Sequence, residues 1–244
     1  MHKVFLTARW THLAMLNYAV DAQILQPWLP AYTELDTFNG KVLVSLVGFN
    51  FMDTRMLGVR WPFHASFPEV NLRFYVKHFN GKEWKRGVCF VSEIVPRPAI
   101  AYTANILYRE PYKAMPMRAT LNETAGAVKA AYAWKFKGKW QSLLVEAGNT
   151  LQDILPGSEE EFIFEHYWGY NKYNANTTIE YEVEHVRWQT FPVHNWQLDV
   201  DVAALYGKDF VPYFQQQPSS VLLAHGSAVT VRKPLFIKKI PACV

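Results

Sequence analysis

Charge is scarce in this chain. Of its 244 residues only 19% are Asp, Glu, Lys or Arg, while 50% are hydrophobic. That balance excludes a disordered segment and a coiled coil. Cysteine is nearly absent. Cys89 and Cys243 are the two present, too few for a disulfide framework or a cysteine-bound metal knot. No apolar run reaches the roughly 18 residues that span a bilayer. The opening, Met1 to Trp10, is too short and too polar for a signal peptide. A soluble protein of the reducing cytoplasm, with no membrane partner, is the expectation. The familiar catalytic signatures are missing too: there is no GxSxG, no glycine-rich phosphate loop, no HExxH and no CxxC. The eight histidines include no close pair at ligand spacing, so neither a metal nor a cofactor is expected. Net charge is only +4. Its one basic cluster, Arg232-Lys233 with Lys238-Lys239, reads as a solvated tail. No ladder of aromatics interleaved with Lys and Arg points to nucleic acid.

Aromatics are plentiful, with 9 Trp, 13 Tyr and 16 Phe, and they favour strands and large cores. The plainest pattern runs from Phe67 to Val76. Val70, Leu72, Phe74 and Val76 fall on one side; Glu69, Asn71, Arg73 and Tyr75 fall on the other. Period two predicts a strand. Its polar face is either a solvated sheet surface or the lining of a polar cavity inside a closed barrel.

Further strands are predicted over 41–51, apolar on both faces and therefore central, over 87–94, after a turn at Asn80-Gly81, and over 127–136 and 140–146. Residues 162–170 also read as a strand, with Phe162, Phe164, His166 and Trp168 on one face. In 177–188, Glu180, Glu182 and Glu184 are expected in water, which turns His185 and Arg187 inward or toward a rim. A strand over 220–231 closes the chain, bent at Gly226. Asp21 is expected to cap a short helix ending at Leu25, Asp201 to begin one that Gly207 stops, and Asp209 to cap another. Pro156-Gly157-Ser158 with Glu159, Glu160 and Glu161 reads as a solvated loop. Pro96 and Pro98 break the pattern, and Pro111 with Pro116 excludes a regular helix across Tyr112 and Lys113. Many short strands, two or three short helices and no linker describe one mainly β domain, α+β in detail.

Three elements carry candidate chemistry. Glu69 heads the polar face of its strand. Lys113, if buried, would lose its proton more easily and become an amine able to attack a ketone or aldehyde, with Glu69 as proton shuttle. His166 is either a satisfied core histidine or a site residue.

Residues 10–40, Glu69 to Val76, and Glu165-His166-Tyr167 together with His185 to Trp188 and Tyr206-Gly207 resemble the YqjF-like family of uncharacterised conserved proteins. That family is in turn distantly similar to the acetoacetate decarboxylase superfamily. The resemblance implies a closed, cone-like antiparallel β-barrel wrapped by additional sheet, with its site inside. Decarboxylases of that superfamily carry Arg-Glu shortly before Pro-Lys-Lys, the first lysine forming a Schiff base. Arg109-Glu110-Pro111-Tyr112-Lys113 is similar but shortened. Tyr112 stands where the Schiff-base lysine would be, and Lys113 matches its helper. The implied site is Glu69, Lys113 and Tyr112 as catalytic groups, with Asn71, Arg73, Arg109, His166 and His185 around the ligand. That ligand is a small organic acid or carbonyl compound, handled by a lyase-type enzyme or by a binding protein without turnover. Assembly of identical copies through exposed aromatics stays open.

Overall fold

Alternation along Glu69 to Val76 places apolar and polar side chains on opposite faces of one long strand, and the whole molecule is arranged about those two faces. The computed structural model describes residues 3–238; Lys239 and Cys243 lie outside them. In chain order the strands are β1 (Val4–Val20), β2 (Glu34–Leu35), β3 (Thr37–Phe38), β4 (Lys41–Met56), β5 (Phe67–Phe79), β6 (Trp84–Val95), β7 (Tyr112–Ala114), β8 (Met117–Glu123) and β9 (Val128–Phe136). There follow β10 (Lys139–Ala147), β11 (Gln152–Asp153), β12 (Trp168–Asn174), β13 (Thr177–His185), β14 (Gln189–Phe191), β15 (Val193–Asp199), β16 (Ser220–Arg232) and β17 (Leu235–Lys238). The α-helices are α1 (Pro98–Tyr108), α2 (Glu159–Phe164), α3 (Val202–Leu205) and α4 (Val211–Phe214).

The larger sheet runs β16-β1-β4-β5-β6-β12-β13, and β13 pairs again with β16. The strands thus form a ring. It is not wholly antiparallel as expected: β12 meets β6 in parallel, through Trp168 with Gly87 and Gly169 with Val88. A second sheet, β15-β10-β9-β8, lies outside the ring. On β5, Val70, Leu72, Phe74 and Val76 join the core cluster that includes Tyr132, Trp134, Leu143 and Val145 of the second sheet. Close approach of the layers requires Gly48 on β4, since a Cβ there would press into the Tyr132 ring. The opposite face of β5 turns into the ring, whose own apolar cluster includes Leu13, Met15, Val47, Phe49, Ile163 and Phe164.

Gly226 bends β16 at φ +85°, and a Cβ there would overlap the Trp10 carbonyl oxygen. Both the left-handed conformation and the overlap oppose any side chain. Gly226→Ala is therefore expected to lower unfolding free energy by about 3 kcal/mol, read from denaturant midpoints. A loss below about 1 kcal/mol would show that the ring adjusts freely.

Several elements differ from expectation. Residues 159–164 are helix α2, not loop and strand. Ser158 Oγ accepts from the Glu161 amide, and three glutamates in the first turn favour the helix N-terminus. Pro98 does not merely break a pattern; it opens α1 at a first-turn position, where its missing N–H matters least. Glu180 is not in water. It is buried, paired with Lys85 at 2.8 Å and bonded by the Tyr170 hydroxyl at 3.0 Å. Arg232 is likewise no part of a loose tail: it is buried and paired with Glu184. Asp209 lies inside a single 3-10 turn, not at its cap. After β16 the chain adds β17, which pairs with β13. The short 3-10 helix at Ala22–Leu25 follows expectation, with Asp21 accepting from the Gln23 amide, as does Gly207 (φ 113°) just after α3.

Candidate functional site

A cavity of about 420 Å³ opens within the ring. Glu69, Asn71 and Arg73 line it in succession along β5, and each is at most 9% exposed. They point there because their strand neighbours are committed to the other core. A register shift between β5 and β6 falls at Leu72/Arg73, leaving Val91 unpaired with β5. Such irregularities re-aim side chains next to sites.

Glu69 accepts from Asn71 Nδ2 at 3.0 Å and from the Tyr112 hydroxyl at 2.9 Å. Burial pushes its pKa up to about 8 despite those bonds and the pull of Arg73. Glu93 on β6 and Glu110 face the same cavity. Burial and the neighbouring acids hold Glu93 far above the usual carboxylate range. Burial raises Glu110 to about 7, although Tyr181 and Asn171 bond to it. Three carboxyl groups thus share one hollow, all held above the usual carboxylate range by burial.

Arg73 is the counterpoint. Among the described residues no carboxylate lies within salt-bridge distance of it. Its Nη2 donates only to Met15 Sδ at 3.9 Å, and its buried Nε has no partner. The guanidinium sits 5.8 Å from the centre of the Tyr75 ring. Elsewhere in the cavity, His166 is held by Asp36, with Nε2 and Oδ2 3.2 Å apart. Asp36 in turn accepts from Arg86 Nε at 2.6 Å. His166 Nδ1 is buried without a partner, and burial lowers the imidazole to about 4. It is a neutral ring presenting one unused nitrogen.

The expected site residues divide. Glu69, Asn71, Arg73, Tyr112, His166 and His185 all line the cavity. His185 lies against Trp188, ring centres 4.3 Å apart, and burial lowers its pKa. Tyr112 is fixed by Asn105 of α1, which accepts from its amide at 3.0 Å and donates to its carbonyl at 3.1 Å. Lys113 and Arg109 do not join them. Both are exposed. Successive side chains of a strand alternate, so β7 turns Tyr112 in and Lys113 out. Arg109, in the left-handed region at φ 54°, ends α1 and lies over the Tyr173 ring. That same turn swings Glu110 into the cavity. Arg187, expected inward or at a rim, bonds instead to Glu161 and the Ile154 carbonyl. Among the described residues no lysine lines the cavity.

Sequence reading missed Glu93, Glu110, Tyr181 and Asp36. Glu93 had a signal: it is the one charged residue in the largely apolar stretch 87–95. Among the described residues no group of three or more His, Cys, Asp or Glu is arranged to hold a metal ion, and no helix is long and apolar enough to cross a membrane. Chemically, the arrangement offers a cation for an anionic group, neutral carboxyls and phenols as proton donors, and an imidazole nitrogen as acceptor.

Among curated proteins, the chain is similar to the uncharacterized protein YqjF of Bacillus subtilis (strain 168), 30% identical over 118 residues. That match covers 48% of this chain and 47% of the relative, so it spans about half of that protein's length. Among solved structures, it is similar to acetoacetate decarboxylase from Legionella pneumophila, with a TM-score of 0.64 at 13% identity, over 96% of this chain and 88% of that one. It is also similar to the enduracididine biosynthesis enzyme MppR complexed with pyruvate, with a TM-score of 0.63 at 12% identity, over 97% and 91% of the two chains. At such identities the likeness shows the fold: mainly β, of the acetoacetate decarboxylase kind. A family profile described as "Uncharacterized conserved protein" matches residues 7–228. The chain belongs to that family, DUF2071.

Proposed function

We propose that the cavity binds a small organic acid bearing a carbonyl group and processes it by acid–base chemistry, without a lysine-bound intermediate. One observation carries this reading: a buried guanidinium with no anionic partner among the described residues. A guanidinium taken from water and left unpaired is costly, and a ligand carboxylate would supply the missing partner with charge-assisted hydrogen bonds. Asn71, Glu69 and Tyr112 surround the adjoining space. Glu69, still protonated near neutrality, is suited to donate a proton to a carbonyl oxygen and to take one back. The pyruvate bound in the MppR structure supports the same ligand class.

A second reading, binding without turnover, is favoured by the lack of a lysine among the described residues of the cavity wall, which removes the covalent route of Schiff-base enzymes.

The test is to titrate the protein calorimetrically with short 2-oxo and 3-oxo acids, then treat each mixture with borohydride and weigh the protein. Binding with no gain in mass is expected. A reduced adduct on Lys113 would overturn the non-covalent mechanism, and failure of every acid to bind would overturn the reading as a whole. Product formation over many cycles that disappears in Glu69→Gln establishes acid–base catalysis; binding with no product establishes the second reading.

A further inference from the structure

The cavity is graded along its strands. On β5 the inward row runs Phe67, Glu69, Asn71, Arg73. On the adjacent β4, Phe51 pairs with Phe67, Phe49 with Glu69, Val47 with Asn71 and Ser45 with Arg73. On β1, Trp10 pairs with Phe51 and Met15 with Val47. Along the row the polar groups thus occupy the stretch from Arg73 to Glu69, and the aromatic groups begin at Phe49, opposite Glu69, and continue to Phe51 and Phe67. Phe67 and Arg73 are six residues apart, about 20 Å along a strand.

The aromatic end is continuous. Phe51 stacks on Phe67 with ring centres 4.7 Å apart, and Trp10 meets Phe49 at 5.2 Å, Phe51 at 5.7 Å and Trp188 at 6.3 Å. Trp10, Phe49, Phe51, Phe67 and Trp188 all line the cavity. An acid as small as pyruvate, seated on Arg73, leaves that aromatic wall untouched and facing water. A cavity of about 420 Å³ equals roughly 14 waters at about 30 Å³ each, far more than such a ligand displaces.

We propose that the ligand is an oxo acid with an extended apolar tail, alkyl or aryl, its carboxylate on Arg73 and its tail against Phe49, Phe51 and Trp10. This rests on the reading of Arg73 as the carboxylate anchor and adds the nature of the other end. Each methylene moved from water to that wall tightens binding by about fourfold, until the aromatic end is reached.

Isothermal titration with pyruvate, 2-oxobutanoate, 2-oxohexanoate, 2-oxooctanoate and phenylpyruvate tests it. Affinity is expected to climb along the alkyl series at roughly that step, with phenylpyruvate well above pyruvate. Ala104→Trp, which adds bulk to the cavity wall from α1, is expected to shorten the length at which the climb stops. Should that variant not fold, the series on the unaltered protein decides alone. If pyruvate binds and Arg73→Met removes that binding while affinity stays flat with tail length, the tail is wrong and the anchor stands. If no member binds, or all bind equally well to Arg73→Met, the anchor fails and the tail with it. Equal affinity for the corresponding aldehydes without a carboxylate also overturns the anchor.

Discussion

Arg73→Met is expected to yield a protein that is more stable and nearly unable to bind its ligand. Both effects come from the same unpaired charge. In the free protein the guanidinium has surrendered its hydration and gained only a long contact to Met15 Sδ and the face of Tyr75. Replacing buried charge by an apolar side chain of similar length is commonly neutral or stabilising. We expect a gain of about 1–2 kcal/mol in unfolding free energy, seen as a higher denaturant midpoint with unchanged slope. Binding moves the other way. A carboxylate held by two charge-assisted bonds from a buried guanidinium contributes about 3 kcal/mol, so affinity for an oxo acid should fall on the order of 100-fold. A destabilised variant would mean that Arg73 holds the ring together; a loss of affinity below about fivefold would remove it from the site.

The second large effect is a crossing of stability curves with pH. Burial raises Glu69 from its ordinary 4.5 to about 8 in the folded protein. Between those values the unfolded chain has released the proton while the folded chain keeps it, so folding takes up a proton and stability falls as pH rises. The slope is about 1.4 kcal/mol per pH unit for this group. Its contribution is whole below about pH 4.5 and spent above about pH 8. Glu69→Gln removes the ionisation but places an amide where Asn71 and Tyr112 both donate, at a cost of about 1 kcal/mol. The variant is expected to be slightly less stable than the parent at pH 5 and more stable, by several kcal/mol, at pH 8.5. Urea titrations at the two values check the crossing. Parallel curves would mean that Glu69 is ionised in the folded state throughout. Glu93 and Glu110, raised in the same direction, steepen the parent's decline.

What the sequence disclosed depended on whether a signal was local. The two faces of β5 were legible because each side chain's side follows from its parity, and the acid, amide and guanidinium share one parity. Tyr112 and Lys113 were not separable in this way. β7 is three residues long, and its orientation is set by a left-handed turn at Arg109 and by Asn105 clasping Tyr112. Helix α2 was readable in principle from Ser158 and Glu161, a capping pair, but three adjacent glutamates resemble a solvated loop. The link between Asp36 and His166 joins residues 130 positions apart, and no local pattern anticipates it. Glu180 misled for a related reason: its partner Lys85 lies on a strand that only the closed ring brings near.

The joint between β6 and β12 is two residue pairs wide, and Val88 and Trp168 beside it are part of the cavity wall. Backbone ladders part first where the fewest bonds hold them. Here the weakest stitch is on the strand that carries Glu93. Once it slips, water reaches acids that had been kept neutral, they release their protons, and mutual repulsion pries the gap wider. Alkaline unfolding is therefore expected to start at this seam, where carboxyls held protonated while the strands meet would repel one another once the strands part.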